Sequence, residues 1–175
     1  MSLLNSILEQ LINGLRTGSI YALIAIGYTM VYGIAKMINF AHGDIIMIGA
    51  YSLYVYSAVL KLPVIVAILL TVLTCSVLGI ITEKIAYKPL RNAPSLAVLI
   101  TAIGMSFLLQ NIALLVFKAT PIPFASIVKI PGIRLGSLYI SGTTLVTLVV
   151  TTISMIALTL FVNKTKAGRA MRAVS

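Results

Sequence analysis

Acidic side chains are nearly missing from this sequence: Asp and Glu together number 3 in 175 residues. Glu9, Asp44 and Glu83 fall in three separate segments, so no carboxylate pair for acid–base catalysis is set up. The sequence has one histidine, His42, and one cysteine, Cys75. One His and one Asp supply too few ligands for a metal centre. A single cysteine excludes an intrachain disulfide. Its place inside an apolar run reads as a small buried hydrophobe and not as a reactive thiolate. No G-x-x-x-x-G-K-[ST] loop is present, so any ATP that drives this protein is bound by another chain, and no cofactor is expected. Charge of either sign is scarce as well. Only 9% of residues are charged, against roughly 25% in a soluble domain. With 60% hydrophobic residues and a mean hydropathy of +1.12, the chain cannot hide its apolar surface in one soluble core. It reads as an integral membrane protein with no enzyme chemistry of its own.

Positive charge is what the chain does have: 13 Lys and Arg give a formal net charge of +10. They are scattered through the connections between apolar runs, with no aromatic-interleaved basic face, so they point to membrane topology and not to nucleic acid. Runs free of charged residues mark the spans: Thr17–Ala35, Ile45–Leu60, Leu62–Thr82, Asn92–Phe117 and Leu135–Asn163. About 20 helical residues at 1.5 Å each cross a bilayer core of about 30 Å. The run Ile45–Leu60 reaches that length only if its helix starts near Met37, which puts His42 and Asp44 within the membrane or in a re-entrant turn beside it. The expected fold class is all-α, a polytopic transmembrane helical bundle of about five spans plus an N-terminal amphipathic helix. In that helix Leu3, Leu4, Ile7, Leu8, Leu11, Ile12 and Leu15 recur at helical spacing, with Asn5, Glu9, Gln10 and Asn13 opposite. It either lies in the membrane interface, the preferred reading, or extends the first span. No basic n-region precedes it, so no cleaved signal peptide is expected.

With the N-terminus outside, Lys36, Lys84, Lys88, Arg91, Lys164, Lys166, Arg169 and Arg172 fall inside, and Arg16, Lys61, Lys118, Lys129 and Arg134 outside. The excess inside favours this orientation. Tyr87–Ser95 is then a cytoplasmic turn broken by Pro89 and Pro94, with Glu83 expected to pair with Lys84 or Lys88. Lys118–Ser137 is the longest external loop, in which Pro121, Pro123 and Pro131 prevent a continuous helix.

Several polar or small residues stand out against the apolar background. Asn39, His42, Gly43 and Asp44 form a compact polar cluster at membrane depth. Polar groups in hydrocarbon cost several kcal/mol unless paired or set against a wet cavity. The cluster is therefore either a capped break between two spans, with Gly43 relieving the turn and Asp44 capping the next helix, or a lining of the substrate path. Gln110 and Asn111 in the fourth run carry the same two readings, interhelical bonding or path lining. Gly14, Gly18, Ala22, Ala25, Thr29 and Gly33 step by four or three residues along one helix face, a spacing that lets helix backbones approach closely. Thr144, Thr147, Thr151 and Ser154 make a hydroxyl stripe in the fifth run, satisfied by backbone carbonyls or facing a polar path.

Four stretches in order carry a resemblance: GLRTGSIYALIAIGYTMVYGIAKMINFAHGD (Gly14 to Asp44), EKIAYKPLR (Glu83 to Arg91), LITAIGMSFLLQN (Leu99 to Asn111) and GRAMRA (Gly168 to Ala173). Together they resemble the membrane permease subunit of bacterial high-affinity branched-chain amino-acid ABC transporters. The resemblance implies a multi-pass protein of the bacterial inner membrane, working by alternating access. The implied partners are a second permease subunit, two ATP-binding cassette subunits and an extracytoplasmic solute-binding protein, all arranged about the lipid bilayer. It also implies that Gly168, Arg169, Ala170 and Arg172 begin the element that contacts the ATPase, and that Lys118–Ser137 helps dock the binding protein. Family members run on past this motif, so residues 1–175 are expected to be a single transmembrane permease domain that is truncated at the C-terminus. Two alternatives stay open: a permease for urea or short amides in the same family, or a structural membrane fragment without a transport role.

Overall fold

The computed structural model of the chain describes residues 3–35, 39–90, 92–123, 131–135, 138–166 and 168–170. The chain divides into two compact units, Met1–Lys36 with Ser126–Ser175, and Met37–Ala125.

In the first unit, α1 (Leu3–Ala35) is one 33-residue helix. No proline interrupts it. Where the amphipathic stretch meets the apolar run, Thr17 Oγ1 donates to the Asn13 carbonyl at 3.1 Å and Ser19 Oγ to the Arg16 carbonyl at 2.7 Å. These polar side chains are satisfied within the helix, so nothing forces a break. The amphipathic segment is therefore an extension of the first apolar run and not a separate interfacial helix. At 1.5 Å per residue α1 measures about 50 Å, longer than a bilayer core of about 30 Å. Further along the chain, β1 (Ile133–Leu135) and β2 (Leu138–Ile140) pair antiparallel, with Ile133 opposite Ile140 and Leu135 opposite Leu138. This small hairpin departs from the all-helical expectation and takes the first residues of the run that starts at Leu135. The reason is local. Ser141, extended at ψ 145°, accepts from the Thr144 amide at 3.2 Å through its Oγ, and this N-cap starts α5 at Gly142 (Gly142–Lys164). Helix α1 packs against α5 and β2.

The second unit is built from α2 (His42–Tyr54), α3 (Val64–Thr82) and α4 (Ser95–Phe117). Helix α2 is continued by a π turn at Val55–Val59, closed by the Leu60 amide donating to the Val55 carbonyl at 2.9 Å. Helix α3 is continued by a second π turn, Glu83–Tyr87, and a 3₁₀ turn, Lys88–Leu90. Prolines set two helix starts: Pro63 and Pro94, both extended, occupy the positions just before α3 and α4. Small residues make the contacts. Ala67 and Ala102 are fully buried, and Ala113 nearly so. A Cβ at Gly49 of α2 would stand 3.0 Å from Cys75 Sγ of α3, so these backbones lie close. The core proper lies where the end of α3 meets the start of α4. Ala86, Tyr87, Val98 and Ala102 are buried there, with Leu90 and Met105 packed on them.

Among the described residues, three helical stretches are long and apolar enough to cross a membrane: Val64–Leu90, Ser95–Phe117 and Gly142–Lys164. Their outward faces are apolar too, with Leu69, Leu73, Phe107, Leu115 and Ile153 all exposed. Such surface is poorly matched to water and well matched to lipid. Glu83, Lys84 and Lys88 are exposed, and among the described residues Glu83 makes no ion pair with either lysine. Neighbours at i and i+1 do not face each other, and exposed charges gain little from pairing.

Candidate functional site

The polar cluster lies in the second unit. Asn39 shapes the entry to α2. Its Oδ1 accepts from the Ala41 amide at 3.0 Å, and its carbonyl accepts from the His42 amide at 3.2 Å. The same Oδ1 accepts from the Tyr87 hydroxyl at 2.7 Å, tying the start of α2 to the end of α3. Helix α2 therefore begins at His42, not near Met37, which itself lies outside the described residues. Asp44 is not its cap. It is the third residue of the helix, with the cap position held by Ala41. Gly43 lies within that first turn, and a Cβ there would meet nothing within 4 Å, so no strained backbone demands glycine. His42 is half-buried at the helix start.

Asp44 is 7% exposed. Its Oδ1 accepts from Gln110 Nε2 at 3.0 Å, and the same Nε2 donates to Ser106 Oγ at 3.0 Å. Both amide hydrogens of Gln110 are then used. Among the described residues Gln110 is the sole hydrogen-bond partner of the Asp44 carboxylate, and no Lys or Arg pairs with it. Taking a carboxylate out of water costs several kcal/mol even after relaxation. A hydrogen bond from a neutral donor to a charged group returns about 1.5–3 kcal/mol, and a place in the first helical turn about 0.3–1 kcal/mol more.

The depth of this pair follows from α4. Gln110 stands fifteen residues past Ser95, about 22 Å along the helix at 1.5 Å per residue, with about 10 Å remaining to Phe117. Tyr51 of α2 stacks on Phe117, with ring centroids 4.1 Å apart, so α2 and α4 run parallel from the Asp44–Gln110 level toward Phe117. Helix α2 thus starts well inside the unit, and its first turn carries the buried carboxylate. Helix starts at such depth are a recurring way of presenting polar groups to a solute.

The structure joins Asp44 to Gln110 and Asn39 to Tyr87, as two separate contacts, and leaves Asn111 out of both. Asn111 Nδ2 donates to the Phe107 carbonyl of its own helix at 2.7 Å, and the residue is exposed. Sequence reasoning missed Tyr87 as a partner of Asn39 and Ser106 as a partner of Gln110. Ser106 lies four residues before Gln110, a helical spacing that signals the contact. Tyr87 gave no such signal.

The remaining candidates lie in the first unit. Gly14 and Gly18 are exposed, and a Cβ at either meets nothing within 4 Å; Ala25 and Thr29 are exposed, Ala22 and Gly33 half-buried. In α5, Thr144 and Thr151 are buried, and Thr147 Oγ1 donates to the Thr143 carbonyl at 2.8 Å. Past Lys164 the chain makes an elbow. Thr165 is extended (φ −87°, ψ 157°) and its amide and hydroxyl both donate to the Phe161 carbonyl, at 3.1 and 2.6 Å. Thr165 Oγ1 then accepts from the Gly168 amide at 3.0 Å, and the Thr165 carbonyl from the Arg169 amide at 3.0 Å. This is an N-cap for the next helical turn. Gly168 is buried against α5: a Cβ there would fall on the Val162 carbonyl oxygen and lie 2.6 Å from that of Phe161. Arg169 and Ala170 are exposed, and Arg172 lies outside the described residues.

Residues 10–175 match the family described as "Branched-chain amino acid transport system / permease component". The chain is similar to the high-affinity branched-chain amino acid transport system permease protein BraD of Pseudomonas aeruginosa, with 42% identity over 178 residues, covering 95% of this chain and 58% of that protein. The permease protein LivH of Escherichia coli strain K12 is 40% identical over 178 residues, and that of Salmonella typhimurium 40% identical over 179, with the same coverage. The chain spans 58% of the length of these relatives. No solved structure matches.

Proposed function

We propose a function from one premise: this chain belongs to the permease-component family of branched-chain amino acid transport systems. It acts as membrane-spanning permease of an ABC importer that moves leucine, isoleucine and valine across the bacterial inner membrane. ATP is hydrolysed on two separate cassette subunits. A second permease subunit completes the path, and an extracytoplasmic solute-binding protein delivers the amino acid. The observation that carries this reading is the family match over residues 10–175.

In this reading each part of the chain has a task. The apolar stretches supply a scaffold of about five spans, with the N-terminus outside. Asn39, His42, Gly43, Asp44, Gln110 and Asn111 border the solute path in alternating access, and no bond is made or broken on this chain. The small-residue stripe of Gly14, Gly18, Ala22, Ala25, Thr29 and Gly33 receives a helix of the second permease. The elbow at Thr165–Ala170, with Arg172 beyond it, passes cassette closure to α5. The external segment Lys118–Ser137 meets the binding protein.

The test is ATP-driven uptake into proteoliposomes by the assembled transporter. Labelled leucine should accumulate only with ATP and the loaded binding protein, and isoleucine and valine should compete. Uptake of urea or acetamide in place of leucine would replace the substrate assignment. Correct assembly with no uptake of either would leave a structural role.

A further inference from the structure

We propose that the Asp44 carboxylate receives the α-ammonium group of the transported amino acid, with Gln110 as its positioning residue. This deepens the permease reading above and rests on it.

Three observations converge. Asp44 is the single buried acid of the chain, since Glu9 is half-buried and Glu83 exposed. It is buried at depth, level with the sixteenth residue of a 23-residue apolar helix, where a fixed negative charge is costly. Among the described residues it is also held in place with no Lys or Arg paired to it. Gln110 donates to one carboxylate oxygen and anchors itself on Ser106, and among the described residues nothing donates to the other oxygen. A merely structural polar pair at this depth is served equally well by an amide, which brings no charge. A carboxylate is the better choice where a cation is to be met, and the amino acid brings one. Its ammonium offers three hydrogen-bond donors and a positive charge, matching an anionic acceptor with an open oxygen. Urea and short amides carry no cation, so Asp44 would face them uncompensated. The same residue thus selects amino acids over neutral solutes.

The experiment uses the assembled transporter in proteoliposomes, with leucine uptake and binding-protein-stimulated ATPase measured side by side. Asp44→Asn keeps the size and an oxygen for Gln110 but removes the charge. Leucine uptake should fall by about 100-fold or more, the scale of loss when one member of a buried charge pair is deleted. Stimulated ATPase should persist. Asp44→Glu should recover part of the uptake. Gln110→Leu, which leaves the charge and loosens it, should cost less than Asp44→Asn. Uptake by Asp44→Asn within a few-fold of wild type would overturn the proposal. So would equal losses in Asp44→Asn and Gln110→Leu with no recovery in Asp44→Glu, which is the pattern of a structural pair. Should Asp44→Asn not assemble, the order of Asp44→Glu and Gln110→Leu decides alone: Gln110→Leu below Asp44→Glu with both charges kept supports positioning, and no uptake in either overturns it. Failure of the wild-type transporter to import leucine would instead sink the permease reading itself.

Discussion

Gly168→Ala tests the elbow after α5 most directly, because geometry fixes its cost. The added methyl would fall on the Val162 carbonyl oxygen and stand 2.5 Å from Val162 Cα and 2.6 Å from the Phe161 oxygen. These are backbone atoms. The Phe161 carbonyl is already engaged by the Thr165 amide and hydroxyl, so it cannot swing aside as a side chain would. Either the last turn of α5 opens or the turn at 168–170 swings out. Overpacking of this kind costs about 1–3 kcal/mol, and losing the Thr165 cap on the Gly168 amide adds about 1 kcal/mol. A local penalty of about 2–4 kcal/mol exceeds what one capped turn contributes, so the elbow yields while the helices behind it hold. Under the proposed role, the expected result is a transporter that assembles, hydrolyses ATP and imports far less leucine per ATP. Thr165→Val removes the cap but leaves Gly168 its room, so it should fall between Gly168→Ala and wild type. Thr165→Ser keeps the hydroxyl and should match wild type. The measurement is uptake per ATP hydrolysed in proteoliposomes. Unchanged coupling and thermal stability in Gly168→Ala would refute the close approach.

Three further outcomes follow from the second unit. Gly49→Val should force α2 from α3 and cost about 1–3 kcal/mol, read as a lower melting temperature of the solubilised complex; Gly49→Ala in a Cys75→Ala background should be tolerated, because the crowding atom is Cys75 Sγ at 3.0 Å. Thr82→Val should be neutral or stabilising by about 1–3 kcal/mol, since the buried Thr82 hydroxyl has no hydrogen-bond partner among the described residues; a clear drop in melting temperature would reveal a partner. Gly43→Cys, with Cys75 removed, should react with a membrane-impermeant thiol reagent from one side only, and absence of labelling in every nucleotide state would argue against a water-accessible path there.

Legibility in the sequence varied with the range of the interaction. Pro94 was legible as a break before α4 because the effect of a proline is confined to the backbone beside it; Pro63, just before α3, was passed over inside a run drawn from Leu62. Asp44 stood out because acids are so few. Its partner did not: Gln110 is 66 residues away, and only packing of α2 along α4 brings the two together. Asn111, one residue on, looked identical in sequence, but one helical step of about 100° turns it from that contact. The long α1 was misjudged because its change from amphipathic to apolar composition resembles a boundary, yet nothing in the backbone requires one. The hairpin at Ile133–Ile140 escaped notice because strands of three residues are too short to show alternation. Gly168 was legible as part of a motif, whereas the reason for a glycine there, the backbone of α5 behind it, needs three dimensions.

The π turn at Glu83–Tyr87 changes how α3 must be drawn on a helical wheel. There the Lys88 amide reaches back five residues, to the Glu83 carbonyl, not four. One additional residue in a turn advances every later side chain by about 100°. Upstream, Thr71 and Cys75 turn to Gly49 of α2; downstream, Ala86 and Tyr87 turn to Val98 and Ala102 of α4. A straight α-helix has one stripe to offer, and this one offers two in sequence, each keyed to a different neighbour. A substitution scan along α3 would therefore show two phases of sensitivity, with the jump falling between Thr82 and Lys88.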